Sequence, residues 1–163
     1  YTQNHRITGL IHPGAPGLFS YMNRPTESYI ELENSAWNLL HQIDQPAENC
    51  GKLWLVKKEV VAMLVEGRGE LGPSGSVRAG YTKPFPHWVQ VVVGGYELRG
   101  QIYGGGRFDF GALMFEGENT FIPLYEVELS ALLFPRVKAR APAMMFNKSM
   151  VHAMSMLPSQ EPT

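Results

Sequence analysis

A chain of 163 residues with 44% apolar and 18% charged side chains can bury a core and does not have the composition of a disordered segment. Its 14 basic and 15 acidic residues balance along the whole chain (5 against 6 over residues 1–65, 3 against 2 over 66–86, 6 against 7 over 87–163), which leaves no polybasic surface for nucleic acid and no acidic tail. The single cysteine, Cys50, excludes an intramolecular disulfide and a multi-thiolate metal centre.

The chain opens on Tyr1 rather than Met, so it is either processed or begins part-way into a longer product. No signal-peptide pattern stands at its start. The longest apolar runs, such as EVVAMLV at 59–65, fall far short of a membrane span. With one cysteine these features suit a reducing compartment, and a cytoplasmic location is expected.

In chain order, RITGLIHPG (6–14) carries an apolar–x–Gly–x–Ile core built on Ile7, Gly9 and Ile11. SYIEL (28–32) alternates like a strand, and NSAWNLLHQI (34–43) suits a strand or a helix, with strand favoured. LWLVKKEVVAM (53–63) sets two apolar segments around a polar turn. Residues 66–86, rich in Gly, Pro and Ser, read as a linker or long loop. HWVQVVV (87–93) and YELRGQIY (96–103) flank Gly94-Gly95, a strong two-residue hairpin signal because glycine supplies the positive φ of primed turns. GALMFEG (111–117), NTFIPL (119–124) and EVELSALLF (126–134) follow; in the last, Val127, Leu129, Ala131 and Leu133 share a face. Pro123 cannot donate to a ladder, which predicts an edge, a bulge or a strand end. AMMF–NKS–MVHAM closes the series as a second apolar–turn–apolar block, expected to be a tight hairpin.

Three of these blocks occur twice in the same order, at offsets of 90 to 92. Ile7-x-Gly9-x-Ile11 falls on Leu98-x-Gly100-x-Ile102. SYIEL falls on TFIPL, and the block ending in Ala62-Met63 falls on the one ending in Ala153-Met154. A tandem duplication is expected, with a first unit at 1–65, a linker at 66–86, a second unit at 87–157 and a tail at 158–163. Gly9 and Gly100 sit on inward strand faces, where glycine is tolerated if the strand bends or another backbone comes close. The second unit has a hairpin partner (87–93) ahead of its glycine strand. The first unit lacks one as given, so residues upstream of Tyr1, the linker or a neighbouring chain would supply it, and an edge left open would be a site for aggregation or a partner.

Five or so short strands per unit, a glycine-bent second strand and the closing block resemble the Sm-like and SH3-like small barrels. The F-I-P-L…V-x-L phrase at 121–129 is similar to that of an uncharacterised bacterial family. The fold class expected is all-β, two small, strongly bent barrel-like units with room for a short helix. The resemblance carries no activity.

Candidate chemistry is sparse. GGGRFDFG (104–111) matches neither phosphate-loop template, since strand rather than helix is expected after it. Arg107 and Asp109 in that loop are contact candidates for a ligand, against a solvated turn as the plainer reading. Arg136, Lys138 and Arg140 would line up three cations along a strand and are the best candidates for a phosphate. His5, His12, His41, His87 and His152 lack zinc spacing. Met144, Met145, Met150, Met154 and Met156 are core filling or a sticky surface. No cofactor and no metal are expected. The reading that follows is a non-enzymatic structural or interaction module that binds a protein or itself through sheet edges. The alternatives are an Sm-like nucleic-acid binder and a ligand or catalytic site between the units.

Overall fold

The computed structural model describes residues 1–72 and 84–158. Its strands are β1 (His5–Leu10), β2 (Tyr29–Leu39), β3 (Glu48–Val56), β4 (Ala62–Val65), β5 (Phe85–Val93), β6 (Tyr96–Gly104), β7 (Phe121–Ala131), β8 (Lys138–Asn147) and β9 (Val151–Met156). Two six-residue helices accompany them, α1 (Leu18–Asn23) and α2 (Phe110–Phe115). All-β is therefore the class. The strands form a three-stranded sheet in the order β1-β2-β3 and a six-stranded sheet in the order β4-β8-β7-β6-β5-β9, with every described pairing antiparallel.

Alternation builds these strands. Val89, Val91 and Val93 of β5 and Tyr96, Leu98 and Ile102 of β6 are buried, as a period of two requires. Between them Gly94 and Gly95 take φ 50° and 89°, the positive values of a primed turn. In β7 the inward residues change parity: Ile122 and Leu124 are buried before Glu126, Val127 and Leu129 after it. Glu126 itself has φ 50°, and one left-handed residue in a strand lets both halves keep their apolar side inward while the strand turns. Asn34 does the same in β2 with φ 47°, between buried Ile30 and Leu32 and buried Ser35. The register slips opposite each bend, between Thr8 and Leu10 and between Arg99 and Gln101, where Gly9 and Gly100 lie. A Cβ on Gly100 would stand 2.7 Å from the Tyr125 carbonyl oxygen.

Two expectations change. No strand follows the glycine loop: Asp109 accepts from the Ala112 amide at 3.0 Å and starts helix α2. The closing blocks are not hairpins. A 3-10 turn at Lys57–Glu59 separates β3 from β4, another at Lys148–Met150 separates β8 from β9, and each final strand pairs elsewhere, β4 with β8 and β9 with β5. Such a turn redirects the chain instead of folding it back on its neighbour. Residues 34–43 continue as strand to Leu39 and end in a 3-10 turn at Leu40–Gln42. Of the segment 66–86, Arg68–Leu71 form a 3-10 turn with Leu71 buried and Phe85 begins β5, while 73–83 lie outside the described residues. The ladder from β6 ends at Tyr125, so Pro123 has a neighbour only in β8.

One core cluster lies inside the second half, around Val91, Leu98, Leu124 and Phe146, and takes in Leu40, Val61 and Ala62 from the first half. Another joins Leu18, Phe19 and Met22 of α1 to Phe121, Ala143 and Met145 of β7 and β8. Strand β8 is thus buried on both faces.

Gly100→Ala is expected to destabilise the fold by about 1–3 kcal/mol, because the neighbouring atom is backbone and cannot rotate away. Gly9→Ala should cost less, since its nearest neighbour would stand at 3.1 Å. Urea unfolding of the two variants side by side measures both.

Candidate functional site

The outer face of β6, β7 and β8 brings together some of the charged candidates. Lys138 and Arg140 of β8 lie opposite Ser130 and Glu128 of β7, which in turn face Glu97 and Arg99 of β6. They line a shallow groove of about 570 Å³. Two of its three cations meet a carboxylate: Arg140 pairs across to Glu128 at 2.7 Å and Arg99 along its own strand to Glu97 at 3.1 Å, while Lys138 lies opposite Ser130. Arg136 stands apart, in the turn before β8, where it pairs with Asp44. Only two of the three expected cations therefore share a strand, because β8 starts at Lys138. Arg107 is exposed in the turn ahead of α2, and Asp109 is engaged as that helix's cap.

A second depression lies between the end of α1, the turn after β3 and the start of β7. Lys57 is buried there and donates to the Tyr21 carbonyl at 2.9 Å and the Arg24 carbonyl at 3.4 Å, beside the Tyr21 ring. Desolvation holds its pKa below the usual lysine value. With its donors committed to the end of a helix, Lys57 ties α1 to the chain. Among the described residues no cluster of three His, Cys, Asp or Glu side chains could hold a metal ion. Cys50 is a free thiol on β3, and His12 meets Glu33 at the surface at 3.2 Å.

The features with unspent bonding capacity are strand edges. Among the described residues, strand β3 pairs only with β2, and β9 only with β5. The exposed side of the β2–β3 pair carries Tyr29, Trp54 and Val56, with the Trp54 indole donating to Glu31 at 3.0 Å. Met156 of β9 and Phe110 of α2 are also exposed. Of the aromatic residues in this set only Phe110 stands out in the sequence, as a stacking surface for a nucleic-acid binder. The methionines of the closing block divide: Met144 and Met145 are fully buried, whereas Met156 is half-exposed.

A further edge is partly filled. The Tyr1 amine donates to the Ala62 carbonyl at 2.8 Å, and the Tyr1 carbonyl accepts from Val61 at 2.9 Å and Ala62 at 3.4 Å. Its ring packs edge-on against Tyr96, whose hydroxyl donates to the Thr2 carbonyl. Burial lowers the pKa of the amine to about 5.

No helix among the described residues is long and apolar enough to cross a membrane. No protein-family model matches the chain, and no curated protein or solved structure matches it.

The buried amine sets a pH dependence for the chain that starts at Tyr1. The folded form releases its proton near pH 5 and the unfolded form near pH 8. Between those values only the unfolded chain binds the proton, so stability should rise with pH from about 5 to about 8, by at most about 1.4 kcal/mol per unit. Acetylating the Tyr1 amine removes the titration, and urea unfolding across this range should then lose that slope.

Proposed function

We propose that the chain is a non-enzymatic interaction module, made of two successive copies of one small, strongly bent β-unit of Sm-like or SH3-like shape. The copies join through β4 and β8 and leave their remaining sheet edges for a protein partner or further copies of the chain. The succession strand, short helix, 11-residue strand, strand, 3-10 turn, strand supports the duplication by running twice, the first time with a further 3-10 turn at Leu40–Gln42. More telling, the two non-glycine residues with positive φ among the described residues, Asn34 and Glu126, stand 92 apart. The register slips at Gly9 and Gly100 stand 91 apart, as do the 3-10 turns beginning at Lys57 and Lys148. Rare backbone states recurring at one spacing are hard to obtain by chance.

In this reading the second copy runs from β5 to β9, with strand order β9-β5-β6-β7-β8. The first copy runs from β1 to β4, and the described residues include no counterpart of β5. Tyr1, hydrogen-bonded to Val61 and Ala62, occupies the place that Val92 holds beside Ala153. The observation that carries the functional reading is the set of unpaired edges flanked by exposed aromatic and apolar side chains, features that ordinary sheet edges avoid. The charged groove supports a nucleic-acid role less well, because Arg99 and Arg140 each face a carboxylate.

Native mass spectrometry of the protein gently purified from its own source tests this reading. The expected result is a fixed multiple of the 18.2 kDa chain, or that chain with a second protein bound. A bare 18.2 kDa species under all gentle conditions would overturn it.

A further inference from the structure

The joint between the two halves defines a second joint that the chain cannot make with itself. In the first, Ala62, Met63, Leu64 and Val65 lie opposite Phe146, Met145, Met144 and Ala143. If the halves are copies, the counterpart of β4 is β9 and the counterpart of β8 is β3. Among the described residues both have one unpaired side. We infer that β9 of one chain pairs antiparallel with β3 of the next, repeating the β4–β8 joint between molecules. Moving each residue by 91 fixes the register: Ala153 opposite Leu55, Met154 opposite Trp54, Ser155 opposite Leu53 and Met156 opposite Lys52. This inference rests on the duplication proposed above and names the partner as a second copy of this chain.

Two independent observations meet this register. The first is the direction of the free backbone groups. Asn147 N donates to the Val61 carbonyl, so the hydrogen-bonded pairs of the internal joint are 61 with 147, 63 with 145 and 65 with 143. Their counterparts are 154 with 54 and 156 with 52, and these residues must point their N–H and C=O groups outward. On β9, Leu157 N donates to the Trp88 carbonyl, so odd-numbered residues face β5 and Met154 and Met156 face away. On β3, Lys57 N donates to the Ser28 carbonyl, so odd-numbered residues face β2 and Lys52, Trp54 and Val56 face away. Both edges present the groups that this register needs.

The second observation is where the exposed large apolar side chains fall. Tyr29 (54% exposed), Trp54 (60%), Phe110 (40%) and Met156 (49%) are the counterparts of Phe121 (1%), Met145 (0%), Leu18 (6%) and Val65 (6%). All four counterparts belong to the core cluster that spans the internal joint. Four of the eleven large apolar side chains exposed among the described residues are thus ones that a second joint would bury, from both of its sides. A contact between different surfaces of identical chains propagates head to tail, and it ends in a ring if the rotation closes or a filament if it does not.

A crosslink with fixed register tests the inference. Leu55→Cys and Ala153→Cys are combined in a Cys50→Ser chain; the two positions form a non-hydrogen-bonded pair across the joint, where Cβ atoms approach closely enough for a disulfide. Mild oxidation should yield a ladder at multiples of 18.2 kDa on a non-reducing gel. Leu55→Cys with Met154→Cys, one residue out of register, should yield little. In sedimentation, the otherwise unaltered chain should associate with rising concentration. Trp54→Lys should weaken this roughly tenfold or more, by placing a charge where a hot-spot aromatic sits. Met154→Pro should do so by removing an N–H that faces away from β5. Circular dichroism confirms that each variant folds. Sedimentation as a monomer at all concentrations, or stronger crosslinking by the shifted pair, would overturn the inference. If the chain stays monomeric alone but carries another protein in native mass spectrometry, this inference fails and the module reading stands. A bare monomer in both experiments sinks the two together.

Discussion

Four backbone pairings between β4 and β8 connect the first half of the chain to the second, and most of the remaining packing presupposes them. Strand β4 is too short to hold its place by pairing alone. Both faces of the joint are therefore filled: Val61 and Ala62 reach one core cluster, Val60 and Val65 the other, and Ala143 to Phe146 of β8 divide between the same two. Burial on both sides leaves no route for water to satisfy a loosened ladder, so every polar group there needs a fixed partner. Asn147 supplies one, fully buried and donating to the Val60 carbonyl at 3.1 Å while its own oxygen accepts from Ser149. Asn23 supplies another, exchanging hydrogen bonds with the backbone of Phe121 and so tying α1 of the first half to β7 of the second.

The bends make this joint attainable. A straight 11-residue strand would present one apolar face along its length. With Asn34 and Glu126 in the left-handed region, each long strand turns a corner and keeps apolar residues inward on both arms. The adjacent glycine strand must pass close to that corner, and at Gly100 the Tyr125 carbonyl leaves no room for a Cβ. The sequence therefore carries two linked features at each bend, a glycine on one strand and a left-handed residue on its neighbour.

These features were unequally legible. Gly9, Gly100 and the Gly94-Gly95 turn stand out because glycine is a distinctive letter with few structural uses. Glu126 does not, since nothing about a glutamate in a strand announces positive φ; its neighbours impose it. All-β character could be read from alternation, and helices α1 and α2 could not, because six residues are too few for a helical period to show. Asp109 ahead of an apolar run was the cap signal for α2, and it was outweighed by the strand pattern that follows. The closing blocks misled for a different reason. Two apolar segments around a polar turn look alike whether they pair with each other or with distant strands, and only tertiary contacts decide between the two. The site was less legible still. Of the three cations expected along one strand, Lys138 and Arg140 share β8 and Arg136 does not, and the carboxylate that meets Arg140 comes from β7, out of reach of local spacing. Trp54 and Tyr29 look like core residues in sequence; what sets them apart is the absence of a strand beside β3.

The inferred joint between chains would be weaker than the one within the chain, and a residue difference says where. Asn147 has Val56 as its counterpart on β3. The amide that satisfies the Val60 carbonyl inside the chain is thus missing where β3 would meet the next molecule. The corresponding carbonyl, that of Val151, would have to find water instead. Loss of one such hydrogen bond is worth about 0.5–1.5 kcal/mol. The polar end of β3, Glu48 to Lys52, adds no apolar burial either. Association would then lean on Trp54, Tyr29, Phe110 and Met156, and on backbone pairing. An internal joint must survive for the life of the fold, whereas one between chains can open and close with concentration. The asymmetry between Asn147 and Val56 fits that division.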